Sequence, residues 1–287
     1  MAWARLVARY ASCSLTLPPP HPPSNGSIVS STVSGKIICH SKLSGMPNLA
    51  LTFVNPNDIE EQSFHACVRN APFDRESIVS FVPPDGSFTL MTYRAATHTP
   101  STPLWIRPTI TWHRDSARFS MVMGTKPMCV KGGGGGSTSG GTMATTTRNN
   151  SGGISSGSPS AVTGAVVDVL SGLDDIKLIV TFPKAVKSVD LTSDVGVVHV
   201  DPVTHLTTWT IGRYPRDKAP ELSGTIYLAP GEVTVPIETP HAQLFFTLAG
   251  TTVSGLSVKD LVLTGEKYKF FKGVKTMVQT GRYQVRT

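Results

Sequence analysis

Residues 77–94 read SIVSFVPPDGSFTLMTYR. Two apolar runs, Ile78–Val82 and Phe88–Tyr93, flank Pro83-Pro84-Asp85-Gly86. In the second run Phe88 and Leu90 alternate with Thr89 and Met91, the period of two that sends successive side chains to opposite faces of a strand. Proline holds φ near about −65°, and Asp-Gly supplies a corner that tolerates left-handed backbone. The segment is therefore expected to be a hairpin, and a chain built from such units is all-β.

Working outward, Val29–Ser41, Leu49–Val54 and 64–69 (FHACVR) read as strands on the N-terminal side. Leu104–Trp112 and Phe119–Val122 follow. Beyond them come Ala165–Val169, Ile176–Phe182, Gly196–Val200, Leu222–Leu228 and Gln243–Leu248. In 199–212, HVDPVTHLTTWTIG, Asp-Pro-Val-Thr makes a second hairpin turn. Val258–Leu263, Val274–Val278 and Tyr283–Arg286 close the chain. No helical run exceeds two turns, and the pattern is that of a β-sandwich.

Residues 131–160 are dominated by Gly, Ser and Thr, including five consecutive glycines at 132–136. Such a tract cannot bury enough apolar surface to offset its ordering entropy, so it is expected to be a disordered insertion. The glycines lack the Gly-Lys-Ser/Thr ending of a phosphate-binding loop. The first 25 residues hold Arg5 and Arg9 and no acid; the first carboxylate is Asp58. They are expected to be a disordered leader, a transit peptide or a misassigned start, with PPPHPP as an extended linker.

The 287 residues are 39% apolar and carry a net charge of +7. A chain of this length buries roughly 75% of its unfolded surface. No apolar run approaches the ~20 residues of a membrane-spanning helix. Residues 251–287 contain seven Lys/Arg against Asp260 and Glu266, a local charge of +5. That attracts acidic partners, and sparse aromatic interleaving ranks anionic lipid above nucleic acid.

Chemistry-bearing constellations are few. Cys13, Cys39, Cys67 and Cys129 form no CxxC pair, and no HExxH or Gly-x-Ser-x-Gly occurs. Asn25-Gly-Ser and Asn149-Asn-Ser match the glycosylation triplet, a pattern common by chance. His65 and Cys67, two apart on a strand, would share a face as a nucleophile pair. No orienting acid is near in sequence, so a structural histidine and a buried cysteine are the preferred reading. No enzyme, metal or cofactor is expected.

Several segments together are specific: LSGMP (43–47), FHACVR (64–69), SFVPPDGSFTLMTYR (80–94), DPVTHLTTW (201–209), SGL (254–256) and GEKYKFFKGVKTMVQTGRYQVRT (265–287). They resemble the mu homology domain, the cargo-reading C-terminal half of the medium subunits of clathrin-adaptor complexes. The Asp-Pro-Val-Thr hairpin and the closing segment look most like the mu subunit of adaptor protein complex 3. The resemblance runs from about Gly26 to Thr287 and implies two elongated β-sandwich subdomains, the second inserted in the first. Residues 26–96 and 251–287 would form one, and 97–250 the other.

It further implies a non-enzymatic cargo subunit in transport from Golgi or endosome to lysosome or vacuole, peripheral on those membranes from the cytoplasm. Cytosolic cargo tails carrying Tyr-x-x-Φ (Φ bulky and apolar) would bind by strand addition near the C-terminus. Other adaptor subunits and anionic lipids would be the remaining partners. Carried over by position, Val258, Leu261 and Val274 would line the Φ pocket. Lys275 would sit over the tyrosine ring, Gly273 would form one wall of its slot, and His40 would stand nearby. Core packing is the plain alternative for the three apolar residues, and a solvated strand position for Lys275. The family's N-terminal longin-like domain has no counterpart in the chain. Its first strand carries aromatic-x-Asp, whose carboxylate receives the tyrosine hydroxyl; counting back from Gly35 without gaps puts Cys13 there. The rival readings are a membrane-binding scaffold of the wider mu-homology group without a tyrosine pocket, and an organelle-imported β-sandwich enzyme.

Overall fold

The computed structural model describes residues 2–17, 30–69, 73, 75–95, 102–126, 128–130, 165–167, 169–229, 240–281 and 283–286. The Gly/Ser-rich insertion expected at 131–160 lies outside the described residues.

The strands are β1 (Trp3–Leu17), β2 (Ser30–Lys42), β3 (Asn48–Phe53), β4 (Ile59–Phe64), β5 (Val68–Arg69), β6 (Ile78–Phe81) and β7 (Gly86–Ala95). Next come β8 (Leu104–Trp112), β9 (Ser116–Thr125), β10 (Met128–Val130), β11 (Ala165–Val167), β12 (Leu173–Thr181), β13 (Val186–Ser193) and β14 (Val197–Asp201). The last six are β15 (Leu206–Gly212), β16 (Glu221–Leu228), β17 (His241–Ala249), β18 (Val258–Thr264), β19 (Phe271–Gln279) and β20 (Tyr283–Arg286). One helical turn, Val169–Gly172, precedes β12.

A ten-stranded sheet runs β14-β15-β12-β17-β19-β1-β2-β7-β4, with β20 beside β1 and β17. Two four-stranded sheets, β18-β3-β6-β5 and β13-β16-β9-β8, and the β10-β11 pair complete the described fold. The β18-β3-β6-β5 sheet draws on residues 48–81 and 258–264, whereas β13-β16-β9-β8 draws only on residues 104–228. The fold is all-β, a sandwich with a second sandwich threaded into its chain.

Alternation of small apolar and polar residues drives the burial. On β17, Ala242, Leu244, Phe246 and Leu248 are buried while Gln243, Phe245 and Thr247 are half-buried. β3 (Leu49, Leu51, Phe53) and β9 (Ala117, Phe119, Met121, Met123) bury alternate residues in the same way. Trp209 on β15 is 0% exposed, and its indole N–H donates to the Val195 carbonyl at 2.8 Å. Trp209→Ala should lower unfolding stability by about 3–5 kcal/mol through the cavity and the orphaned carbonyl. Urea unfolding measures it, and a loss under ~1 kcal/mol would contradict the packing.

Three expectations need correction. The 77–94 segment is not a hairpin: β6 pairs with β3 and β5, whereas β7 pairs with β2 and β4. Pro83 and Pro84 lack amide donors and extend the chain, Gly86 turns at φ +99°, and the connection crosses from one sheet to the other. Both runs still bury their apolar residues, Val79 and Phe81 from one sheet, Leu90 and Met91 from the other. The 64–69 segment ends β4 at Phe64, turns, and restarts as β5.

The largest correction is at the N-terminus. Trp3–Leu17, expected to be a disordered leader, form the longest strand, parallel to β19 on one side and antiparallel to β2 on the other. The arginines that break its apolar pattern disguised a strand that is paired along both sides, with Ala4 fully buried.

Candidate functional site

The C-terminal part of β19 is held on both sides. Gln279, Val278 and Met277 pair with Thr247, Leu248 and Ala249 of β17, and the Gly250 amide donates to the Thr276 carbonyl. β17 ends there. Among the described residues, Phe271–Lys275 have β1 on one side and no strand on the other. This is a free sheet edge of five residues, with unmade backbone hydrogen bonds available to an added strand.

Around that edge lies apolar surface. Val274 is 47% exposed, Phe271 75% and Val262 of β18 44%. Val258 is half-buried against the core. Leu261, expected to line the Φ pocket, is 2% exposed and pairs with Leu51 of β3, so it is a core residue. Val262 and Phe271 are apolar surface that positional carry-over did not flag.

Lys272 spans the gap between the sheets. Its ammonium donates to Asp260 Oδ1 at 2.6 Å and to the Leu261 carbonyl at 3.1 Å. The lysine hydrogen bond, then the Leu261 amide, hold the Asp260 carboxyl below its ordinary pKa. A carboxylate depressed in the fold contributes stability above its unfolded pKa of ~3.9, and loses it as pH falls through the lower folded value. Both partners are half exposed, so the pair contributes no more than ~1 kcal/mol. The stability difference between the chain and Asp260→Asn should therefore be small at pH 7 and vanish in acid. A difference that grew on acidification would overturn this assignment.

Strand alternation separates the other expected residues. Gly273 and Lys275 lie on the opposite face of β19 from Lys272 and Val274. Register continues their rows across the sheet: Gly273 is beside Arg5, which is opposite His40, and Lys275 is beside Val7, opposite Ile38. Lys275 is exposed and enters no ion pair or hydrogen bond among the described residues. Among the described residues, a Cβ on Gly273 would meet the Phe271 ring, at 3.8 Å.

The ungapped count that placed Cys13 at the carboxylate position does not survive the register. Cys13 pairs with Val33, past an irregularity between Tyr10 and Cys13. The β1 positions beside Gly273 and Lys275 are Arg5 and Val7. A β1–β2 connection spanning 18–29 shifted the count.

His65 and Cys67 do not make a nucleophile pair. His65 Nδ1 accepts the Cys67 backbone amide at 3.2 Å, closing a turn, and its ring lies 5.0 Å from that of Phe88. Burial raises the Cys67 thiol above its ordinary pKa and pushes Cys39 to about 12, the reverse of an activated thiolate. Among the described residues no group of three His, Cys, Asp or Glu could hold a metal ion. No helix among them is long and apolar enough to cross a membrane.

A sheet edge with no second strand among the described residues, with exposed apolar and basic residues beside it, sits on a β-sandwich. The chain belongs to the adaptor complexes medium subunit family, whose profile matches residues 23–287. It is 33% identical over 267 residues to the AP-3 complex subunit mu of Dictyostelium discoideum, a match covering 92% of this chain and 54% of that protein. It is equally 33% identical over 266 residues to the AP-3 complex subunit mu-1 of Homo sapiens, again covering 92% and 54%. The chain thus spans about half the length of these relatives. In structure it resembles the Fcho1 mu homology domain of Danio rerio with bound Eps15 peptide, at TM-score 0.61 and 12% identity, covering 100% of this chain and 98% of that one.

Proposed function

We propose that this chain is the cargo-reading part of an adaptor complex and takes an extended Tyr-x-x-Φ tail peptide by strand addition to β19. The observation that carries this reading is the edge Phe271–Lys275, unpaired among the described residues, with Val274 and Val258 at its apolar side. In an extended peptide, residues three apart face opposite sides. Φ would lie against the exposed Val274 beside β18, while the tyrosine would lie over Gly273 and beside Lys275. A cation at Lys275 suits an aromatic ring. Backbone hydrogen bonds would supply affinity and the two faces selectivity. Amide exchange is the direct test: a Tyr-x-x-Leu peptide should slow exchange at residues 271–276 and leave β14–β15 unchanged. Protection elsewhere with none at β19 would overturn the site.

Family membership supports assembly with other adaptor subunits, and likeness to AP-3 subunits supports peripheral action in transport from Golgi or endosome toward lysosome or vacuole. The division of 26–96 with 251–287, joined by β1 in their shared sheet, against 97–250 is part of the same proposal. No catalytic role is proposed.

A membrane-scaffold reading is favoured by one feature, the +5 charge of residues 251–287. Each basic residue near an anionic surface contributes on the order of 1 kcal/mol. Sedimentation with phosphatidylserine vesicles should be measurable at low salt and vanish near 1 M, where the screening length is ~3 Å. Equal binding to neutral vesicles at low salt would remove lipid from the partners.

A further inference from the structure

We propose that the groove on β19 prefers an anionic residue, specifically phosphotyrosine, over the neutral tyrosine. The proposal rests on the strand-addition reading above and concerns what occupies its Gly273/Lys275 face. Along β19, β1 and β2 that face carries basic residues and no Asp or Glu. Lys275 is exposed and unpaired among the described residues. Lys36, His40 and Lys42 alternate on β2 with the same parity as the Gly273 row, and Lys42 is exposed. β1, which lies between β19 and β2, carries Arg5 and Arg9 and neither Asp nor Glu.

Among carboxylates, Asp85 precedes Gly86, which pairs with Ser41, so it stands at the Lys42 end of β2, three strands from β19. Asp260 is held by Lys272 on the opposite side of β19. Glu61 pairs with Arg94 at 3.3 Å on the β4–β7 edge, four strands from β19 or about 19 Å at ~4.8 Å per strand. Glu266 lies on the β18–β19 loop, where its carboxylate occupies the space a Cβ on Gly45 would take. A phenol placed over Gly273 lies on strands that carry basic residues and no carboxylate to accept its hydroxyl. A phosphate on that phenol brings about −1.5 to −2 charges and three acceptor oxygens to the same place. The exposed Phe271 ring, 3.8 Å from a Cβ placed on Gly273, offers the phenol an edge. Charge-assisted hydrogen bonds to lysine or arginine are roughly twice as strong as neutral ones, so the modified residue gains what the unmodified one lacks. The apolar cleft on the other face still selects Φ, which distinguishes a peptide from a membrane as occupant.

The test is fluorescence anisotropy on the full chain with four labelled peptides: Tyr-x-x-Leu, Phe-x-x-Leu, phosphotyrosine-x-x-Leu and phosphotyrosine-x-x-Ser. The phosphorylated Leu peptide should bind at least ten times tighter than the tyrosine and phenylalanine peptides, which should be alike. Raising salt or introducing Lys275→Glu should erase that preference, and Leu to Ser in the peptide should cost at least ten-fold. Tyrosine bound as tightly as phosphotyrosine, with the Leu dependence intact, would overturn this inference and leave strand addition standing. Failure of every peptide, or binding indifferent to Leu, would overturn both. Equal binding of the phosphorylated Leu and Ser peptides, with full displacement by phosphatidylserine vesicles, would show a lipid surface and likewise overturn the proposal.

Discussion

Removing residues 1–25 should unfold or gravely weaken this domain. β1 has nine aligned partners on β19 and twelve on β2, so its loss splits the ten-stranded sheet down its middle. Each ladder hydrogen bond nets ~0.5–1.5 kcal/mol. Ordering a residue costs ~1–2 kcal/mol, which offsets much of that gain for β1 itself. What the offset does not touch is the damage to the remainder. β2 and β19 would become exposed edges, β20 would lose its parallel neighbour at Leu15–Leu17, and the buried Ser41 and Cys39 would face water. A net loss on the order of 5 kcal/mol, against a typical total of ~5–15, is expected. That corresponds to roughly 10–20 °C in melting temperature for a chain of this size. Thermal melts and soluble yield of the truncated and full chains measure it. A truncated chain that melts with the full one would show that Trp3–Leu17 are dispensable to the sheet.

The same strand marks the limit of what the sequence discloses. Strands with clean alternation and polar ends, such as Leu206–Gly212 and Gln243–Leu248, were legible because half-burial imprints a period of two. The 197–212 hairpin was legible to its turn, where Asp201 Oδ1 accepts the Val203 amide at 2.9 Å. β1 was not, because its arginines interrupt the apolar period and the residues before the first proline cluster resemble a leader. Val186–Ser193 escaped for a related reason: its three lysine, aspartate and serine positions face out, leaving only Val186 and Leu191 fully buried. The PPDG connection was misassigned because local turn chemistry is identical whether the flanking strands pair with each other or with different sheets. That choice is made by tertiary packing. The residues carried over by position fall on β18, β19 and β2. Which of them is accessible was invisible, since Leu261 and Val262 are adjacent apolar residues and only the fold sends one inward.

Val274→Ser should reduce tail-peptide binding below detection, and Arg5→Asp should create a preference for tyrosine over phenylalanine. Both follow from the two-faced groove. A micromolar peptide complex is worth about −8 kcal/mol. A hydrogen bond to a charged group contributes ~1.5–3 kcal/mol, and this chain has no carboxylate on β1 to accept one from the tyrosine hydroxyl. Binding of an unmodified Tyr-x-x-Leu peptide should thus start tens- to hundreds-fold weaker than micromolar, and Tyr to Phe should change it little. Val274 is then the principal apolar contact for Φ. Wetting it forfeits up to ~1.5 kcal/mol more and leaves millimolar affinity. Lys275→Ala removes one exposed contact and should weaken the tyrosine peptide less. Arg5→Asp turns Trp3-Ala4-Arg5 into an aromatic-x-Asp strand in the Gly273 row, without touching the apolar cleft. It should tighten the tyrosine peptide by ten-fold or more, leave the phenylalanine peptide unchanged, and weaken the phosphotyrosine peptide, now opposed by a like charge. Titration calorimetry of the three peptides against the chain and the Val274→Ser, Lys275→Ala and Arg5→Asp variants reads every term. Strong discrimination against phenylalanine by the unsubstituted chain would show that His40, opposite Arg5 in the same row, already accepts the tyrosine hydroxyl.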